Sequence, residues 1–161
     1  MFNVGDKVAY PMHGAGIIER IEDKEILGEV RKYFILKLPL KKMDVMIPVE
    51  NAEKLGLRYI VDMDTVNKVM EIFSQEISDM SENWNRRYRN NLEKIKSGDI
   101  LEVAMVVKDL IIMDITKGLS TGEKKMLVNT KQILVSEVVL VLDSTEEEIE
   151  KRIKDSLKID K

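Results

Sequence analysis

Apolar and polar positions follow one rhythm in the first part of the chain and another after it. Asp6-Lys7-Val8-Ala9-Tyr10 alternates, and Ile17-Ile18-Glu19-Arg20-Ile21, Tyr33-Phe34-Ile35-Leu36-Lys37-Leu38 and Met43-Asp44-Val45-Met46-Ile47 are short apolar-rich runs. Pro11-Met12-His13-Gly14-Ala15-Gly16 reads as a turn, with His13 inside it as a turn or surface residue. Runs of this length, punctuated by glycine and proline, predict a small antiparallel barrel or a strongly bent sheet.

Beyond Pro48 there is no proline, which permits helices, and the apolar spacing lengthens to three and four. A short helix is predicted over about 65–75. Trp84, Tyr88, Leu92 and Ile95 fall within an arc of roughly 80°, and Gly98 is a C-terminal stop after Lys94 and Lys96. Asp99 is placed to cap the next helix, with Glu102 in the reciprocal position. Its apolar set is Ile100, Val103, Ala104, Val107, Leu110 and Ile111, and Gly118 ends it. Ser120-Thr121-Gly122-Glu123 reads as a second capping box, opening a helix through Met126, Ile133, Leu134 and Leu140. Thr145-Glu146-Glu147-Glu148 starts a last, charged helix with Ile149, Ile153 and Leu157 as its stripe. The expectation is an α+β chain: an antiparallel β module over 1–55, a linker over 56–64 with Gly56 as pivot, an all-α bundle over 65–143 and a charged helical tail over 144–161.

Composition removes most chemistry. Among 161 residues there is no cysteine and one histidine, so thiolate zinc sites, cysteine nucleophiles and histidine clusters are excluded. Gly14-Ala15-Gly16 begins like a dinucleotide loop, but Glu19 stands where the third glycine belongs. The glutamates at 146, 147, 148 and 150 suit a solvated helix start better than a metal site. No enzyme and no cofactor is expected. The opening residues lack a signal-peptide layout and no apolar stretch approaches a bilayer span, which predicts a cytoplasmic protein without membrane contact.

Net charge is −3, so any nucleic-acid contact must be local. Between Glu82 and Glu93 lie Arg86, Arg87 and Arg89 and no acid, a stripe of the kind that meets phosphates. Trp84, the only tryptophan, has two readings in this pattern. It leads the apolar stripe into a core, or it projects past the first turn as a bulky ring beside arginines that can wedge between bases.

Asn83-Trp84-Asn85-Arg86-Arg87-Tyr88, Asn91 to Asp99, Gly118 to Leu127 and Gln132-Ile133-Leu134-Val135 together resemble the helical domain of the CarD/CdnL family of bacterial transcription regulators. Val4-Gly5-Asp6-Lys7-Val8 and Tyr10-Pro11-Met12-His13-Gly14 resemble the family's N-terminal module, and the likeness runs from about residue 2 to about 142. It implies a Tudor-like (SH3-like) module binding the β subunit of RNA polymerase, shared with transcription-repair coupling factor. It also implies a bundle that meets promoter DNA weakly, without sequence reading, in the minor groove at the upstream edge of the transcription bubble. It implies Trp84 as wedge and Arg86 and Arg89 as backbone contacts, with an effect on open-complex stability; Arg87, Lys94, Lys124 and Lys125 complete the expected DNA-binding set.

For the polymerase face the resemblance points to the last strand, Met43, Asp44, Val45, Met46, Ile47 and Pro48, adding to a strand of the partner. Lys24 stands where a basic contact is implied, Met46 departs from a position that is basic in the family, and Lys41 and Lys42 are candidates to compensate. The expected protein is a monomer, with dimerisation through the β edge left open, located at the nucleoid through polymerase. The competing expectation is a protein-interaction adaptor that uses both domains as docking surfaces without DNA.

Overall fold

The computed structural model describes residues 1–80 and 82–157. Five strands, β1 (Lys7–Tyr10), β2 (Gly14–Ile26), β3 (Glu29–Leu38), β4 (Met43–Pro48) and β5 (Arg58–Tyr59), make one antiparallel sheet in the order β4-β3-β2-β1-β5. Alternation sends Val8, Ile18, Phe34, Leu36, Leu38 and Ile47 to one face, where Phe2, Ala52 and Leu57 close a small core. Strands β2 and β3 shift register between Ile18 and Arg20, a bulge that bends the pair. The pair also outruns its neighbours: β1 stops opposite Ile17 and β4 opposite Tyr33, so a two-stranded arm projects to a Leu27-Gly28 turn with φ of 53° and 80°.

Two local expectations change. Gly14-Ala15-Gly16 is not turn but the first rung of β2; the turn is confined to residues 11–13, with Met12 at φ 72°. Gly16 is glycine because a Cβ there would stand 2.1 Å from the Lys37 carbonyl oxygen. His13 does lie in the turn, stacked on Tyr10 with ring centroids 4.7 Å apart. The stretch expected as linker contributes β5, paired as Val8↔Tyr59 and Ala9↔Arg58. Gly56 lies against Pro11, where a Cβ would meet Cγ at 2.8 Å, so it is packed rather than a pivot.

The bundle has α1 (Met63–Phe73), α2 (Trp84–Lys96), α3 (Ile100–Thr116), α4 (Thr121–Leu142) and α5 (Glu146–Ser156). Asp62, Asn83, Asp99, Ser120 and Thr145 each accept a first-turn backbone N–H, which starts the five helices. The reciprocal bond expected from Glu102 is supplied otherwise: the Asp99 N–H donates to Ser97 Oγ at 3.2 Å. Helix α3 is the axis of the bundle, and Val106, Ile112 and Met113 are buried along with most of its expected apolar set. The stretch read as a tail is part of the fold. Ile149 and Ile153 share a core with Val66, Phe73, Val107 and Leu134, while residues 158–161 lie outside the described residues.

Candidate nucleic-acid interface and sheet edge

Trp84 is the first residue of α2, and Asn83 Oδ1 accepts from the backbone N–H groups of Asn85 and Arg86. The stripe expected along α2 sinks inward as it runs. Ile95 is buried against Val106, Leu110 and Met126, Tyr88 and Leu92 are half-buried, and Trp84 is 53% exposed. The two readings of the tryptophan therefore divide along the helix: the stripe from Tyr88 onward is core, and the indole stands at its solvent end.

The basic residues sort differently from their order in sequence. Arg86 and Arg89, two and five residues beyond Trp84 in α2, are exposed, as are Lys124 and Lys125 in the first turn of α4. Arg87 turns inward. Its Nε and Nη2 donate to the two carboxylate oxygens of Glu123 at 2.7 and 2.8 Å, its side chain is 13% exposed, and it is not available as a phosphate contact. This pair holds the start of α2 to the start of α4, which brings Lys124 and Lys125 to the same end of the bundle as Trp84. The Arg87 guanidinium, followed by Ser120, holds the Glu123 carboxyl below the ordinary carboxylate value against the opposing effect of burial. Lys94 lies ten residues along α2, about 15 Å from Trp84 at 1.5 Å per residue, and is half-buried; it does not join the group.

The chain reaches Trp84 through a segment anchored from below. Lys108 Nζ donates to the Glu76 carbonyl at 2.9 Å, and Asp109 Oδ1 accepts from the Ser78 N–H at 2.9 Å. Both charges are buried and paired to each other at 3.3 Å. Neither was anticipated, although two charges inside the apolar run of α3 were a visible signal. A larger omission is Arg58 of β5. Its guanidinium donates to Glu137 of α4 at 2.6 and 2.9 Å and to the Gly98 carbonyl beyond the end of α2 at 3.1 and 2.9 Å.

Strand β4 is an edge of the sheet. Register places Met46 beside Ile35 and Arg20, and Pro48 beside Tyr33 and Glu22, on one face; Lys24, opposite Arg31, continues that face along the projecting arm. Met43, Asp44 and Met46 are exposed. Ile47 is fully buried in the module core and Val45 is half-buried against it, so their side chains serve that core, and what the edge offers is backbone. Lys24 pairs with Glu22 at 3.1 Å. Lys41 and Lys42 lie in the β3–β4 turn, which α4 holds through Gln132 Nε2 and the Leu40 carbonyl at 3.3 Å. Burial lowers the Lys41 pKa, and burial followed by the Lys41 charge lowers that of His13, so Lys41 belongs to the side facing the bundle rather than to the free edge.

Among the described residues, no group of three or more carboxylate or histidine side chains could hold a metal ion, and no helix is long and apolar enough to cross a membrane. A family model described as "CarD-like/TRCF RID domain" matches residues 2–61, and one described as "CarD, C-terminal domain" matches residues 68–154. The Bacillus subtilis (strain 168) protein named "Putative transcription factor YdeB" is 42% identical over 149 residues, covering 92% of this chain and 97% of that protein. The Tudor-like sheet and the helical bundle are thus each matched in turn, α5 included to residue 154, and the chain belongs to the CarD family of transcription regulators.

Proposed function

We propose that this protein binds the β subunit of RNA polymerase through the β4 edge and contacts promoter DNA with the Trp84 end of its bundle, changing the lifetime of the open complex without catalysis. The observation that carries this reading is the exposed indole at the head of α2, followed on the same helix by the exposed Arg86 and Arg89. Arginines near phosphates position a protein without reading sequence, and an apolar ring inserts at least cost where base pairs are already parting. A chain of net charge −3 with few phosphate contacts releases few counterions and binds free DNA weakly. Tethering to polymerase raises the local concentration of the bundle at the promoter, which removes that difficulty. Such a protein works in the cytoplasm, at the nucleoid.

The unpaired backbone of β4, flanked by exposed Met43 and Met46, supports strand addition by a partner. Open-complex lifetime on one promoter with cognate polymerase tests the whole reading. Wild-type protein shifts it, Trp84→Ala and Arg86→Glu lose the shift while keeping polymerase binding, and an Arg86→Glu variant with full effect speaks for a docking adaptor instead.

A further inference from the structure

We infer that Arg58 and Glu137 are positioning residues: their contact locks the β module and the bundle into one rigid body and so sets where Trp84 stands relative to the β4 edge. Where DNA is concerned, this deepens the function proposed above and rests on it.

All five guanidinium N–H groups of Arg58 are used. Nε and Nη2 donate to the Gly98 carbonyl, Nη2 and Nη1 to the two oxygens of Glu137, and Nη1 to the Tyr59 carbonyl. Glu137, 4% exposed, also accepts the Val61 N–H at 2.9 Å. Only the forked arginine head has donors for this arrangement; lysine has three and no fork. Arg58 is fastened to β1 by its own backbone. It therefore ties the sheet at once to the far end of the tryptophan helix and to the middle of α4, the helix that presents Lys124 and Lys125.

The surroundings leave the joint little freedom. The Ala15 N–H donates to Ser136 Oγ at 2.8 Å, Pro11 packs on Gly98, and Met12 joins the cluster of Ile95 and Met126. The partly open cavity that both parts line, between Pro11, Gly14, Arg58, Ile95 and Glu137, has room for only about 20 Å³. A joint packed this closely transmits displacement instead of absorbing it. Helix α2 has 13 residues, so it is a lever of about 20 Å, and a tilt of about 10° at Gly98 moves the indole about 3.5 Å. That displacement matches one base step, roughly 3.4 Å along a strand.

The wild-type chain has no cysteine, so spin labels on Glu25→Cys and Glu147→Cys report the distance between the two parts. The expected result is a single narrow distribution that broadens in Arg58→Met; one that stays narrow overturns the inference, whatever polymerase does. If Arg58→Met fails to fold, Glu137→Gln, which keeps an acceptor for Val61 and removes the charge, is measured in the same way and is likewise expected to broaden. With cognate polymerase, Arg58→Met is expected to keep polymerase affinity and lose most of the effect on open-complex lifetime. The pair Gly14→Cys and Ser136→Cys, whose Cβ atoms would stand 3.7 Å apart, suits a disulfide. Added to Arg58→Met, with its fold checked by circular dichroism because Gly14 is at φ 109°, it restores the effect when oxidised and not when reduced. Retention of the full effect by Arg58→Met also overturns the inference. A wild-type protein that does nothing to the open complex, with the narrow distribution and its broadening intact, sinks the proposed function and leaves the joint standing.

Discussion

Arg87 and Glu123 meet in a two-point contact of 2.7 and 2.8 Å across 36 positions of sequence, with the Glu123 side chain 1% exposed. The contact takes one arginine out of the basic stripe and gives it a different task. It fixes the first turn of α2 against the first turn of α4, so the flanking exposed cations and Trp84 are held on one end of the bundle. A carboxylate this buried is tolerated because Arg87 and Ser120 supply its hydrogen bonds.

That contact makes the bundle acid-sensitive. The folded-state pKa of Glu123 lies below its ordinary value of 4.5, so its stabilisation is complete above the unfolded value and is lost as pH falls through the folded one. Glu123→Gln is expected to cost roughly 3–5 kcal/mol near neutrality, the range for removing one partner of a buried pair, and to flatten this acid-side loss. Thermal denaturation of both proteins from neutral to acid pH measures it; parallel curves for the two would count against the assignment.

Trp84 is expected to emit at the long-wavelength, water-exposed end of the indole range and to be quenched by iodide, because 53% of it is exposed. Trp84→Ala should change unfolding free energy by less than about 1 kcal/mol, as at other sites outside the core. A blue-shifted emission that iodide does not reach would contradict the exposed position.

Helix α5 is expected to behave as core. Ile149 is fully buried against the main cluster of the bundle, and Ile149→Ala should destabilise by roughly 3 kcal/mol, within the range for deleting a buried aliphatic side chain. Urea denaturation followed by circular dichroism reads this directly, and a loss below about 1 kcal/mol would mark the helix as peripheral.

Gly16→Val should be among the most damaging single changes in the β module, since its Cβ would fall 2.1 Å from the Lys37 carbonyl. The expected loss is at least about 3 kcal/mol, the upper end of overpacking. Limited proteolysis should then cut first in β2 and β3; a variant as resistant as wild type would mean that the two strands can part at this point.

Local signals carried far in this chain. The alternation around Val8, Ile18, Phe34 and Ile47 marked strands, and Asp99, Ser120 and Thr145 marked helix starts, because backbone periodicity and capping depend on residues within one or two turns. Where a local rule had two explanations, the wrong one was sometimes favoured. Gly14 and Gly16 looked like turn glycines, yet β2 needs them small where Ser136 and the Lys37 carbonyl approach. Ile149 and Ile153 were legible as the stripe of α5, but not that they join the main core, since a stripe so narrow does not say whether anything covers it.

The sequence by itself determined the two kinds of architecture, the starts of the last three helices and the family, all of which follow from short-range pattern and motif. Only the tertiary structure decided that Arg87 is spent on Glu123 while Arg86 and Arg89 face solvent. It alone decided that Arg58, in a stretch that read as linker, grips Glu137 79 positions away. The reason is physical: a guanidinium has the same charge whether water or a carboxylate surrounds it, and which of them does depends on packing between elements that no local pattern encodes.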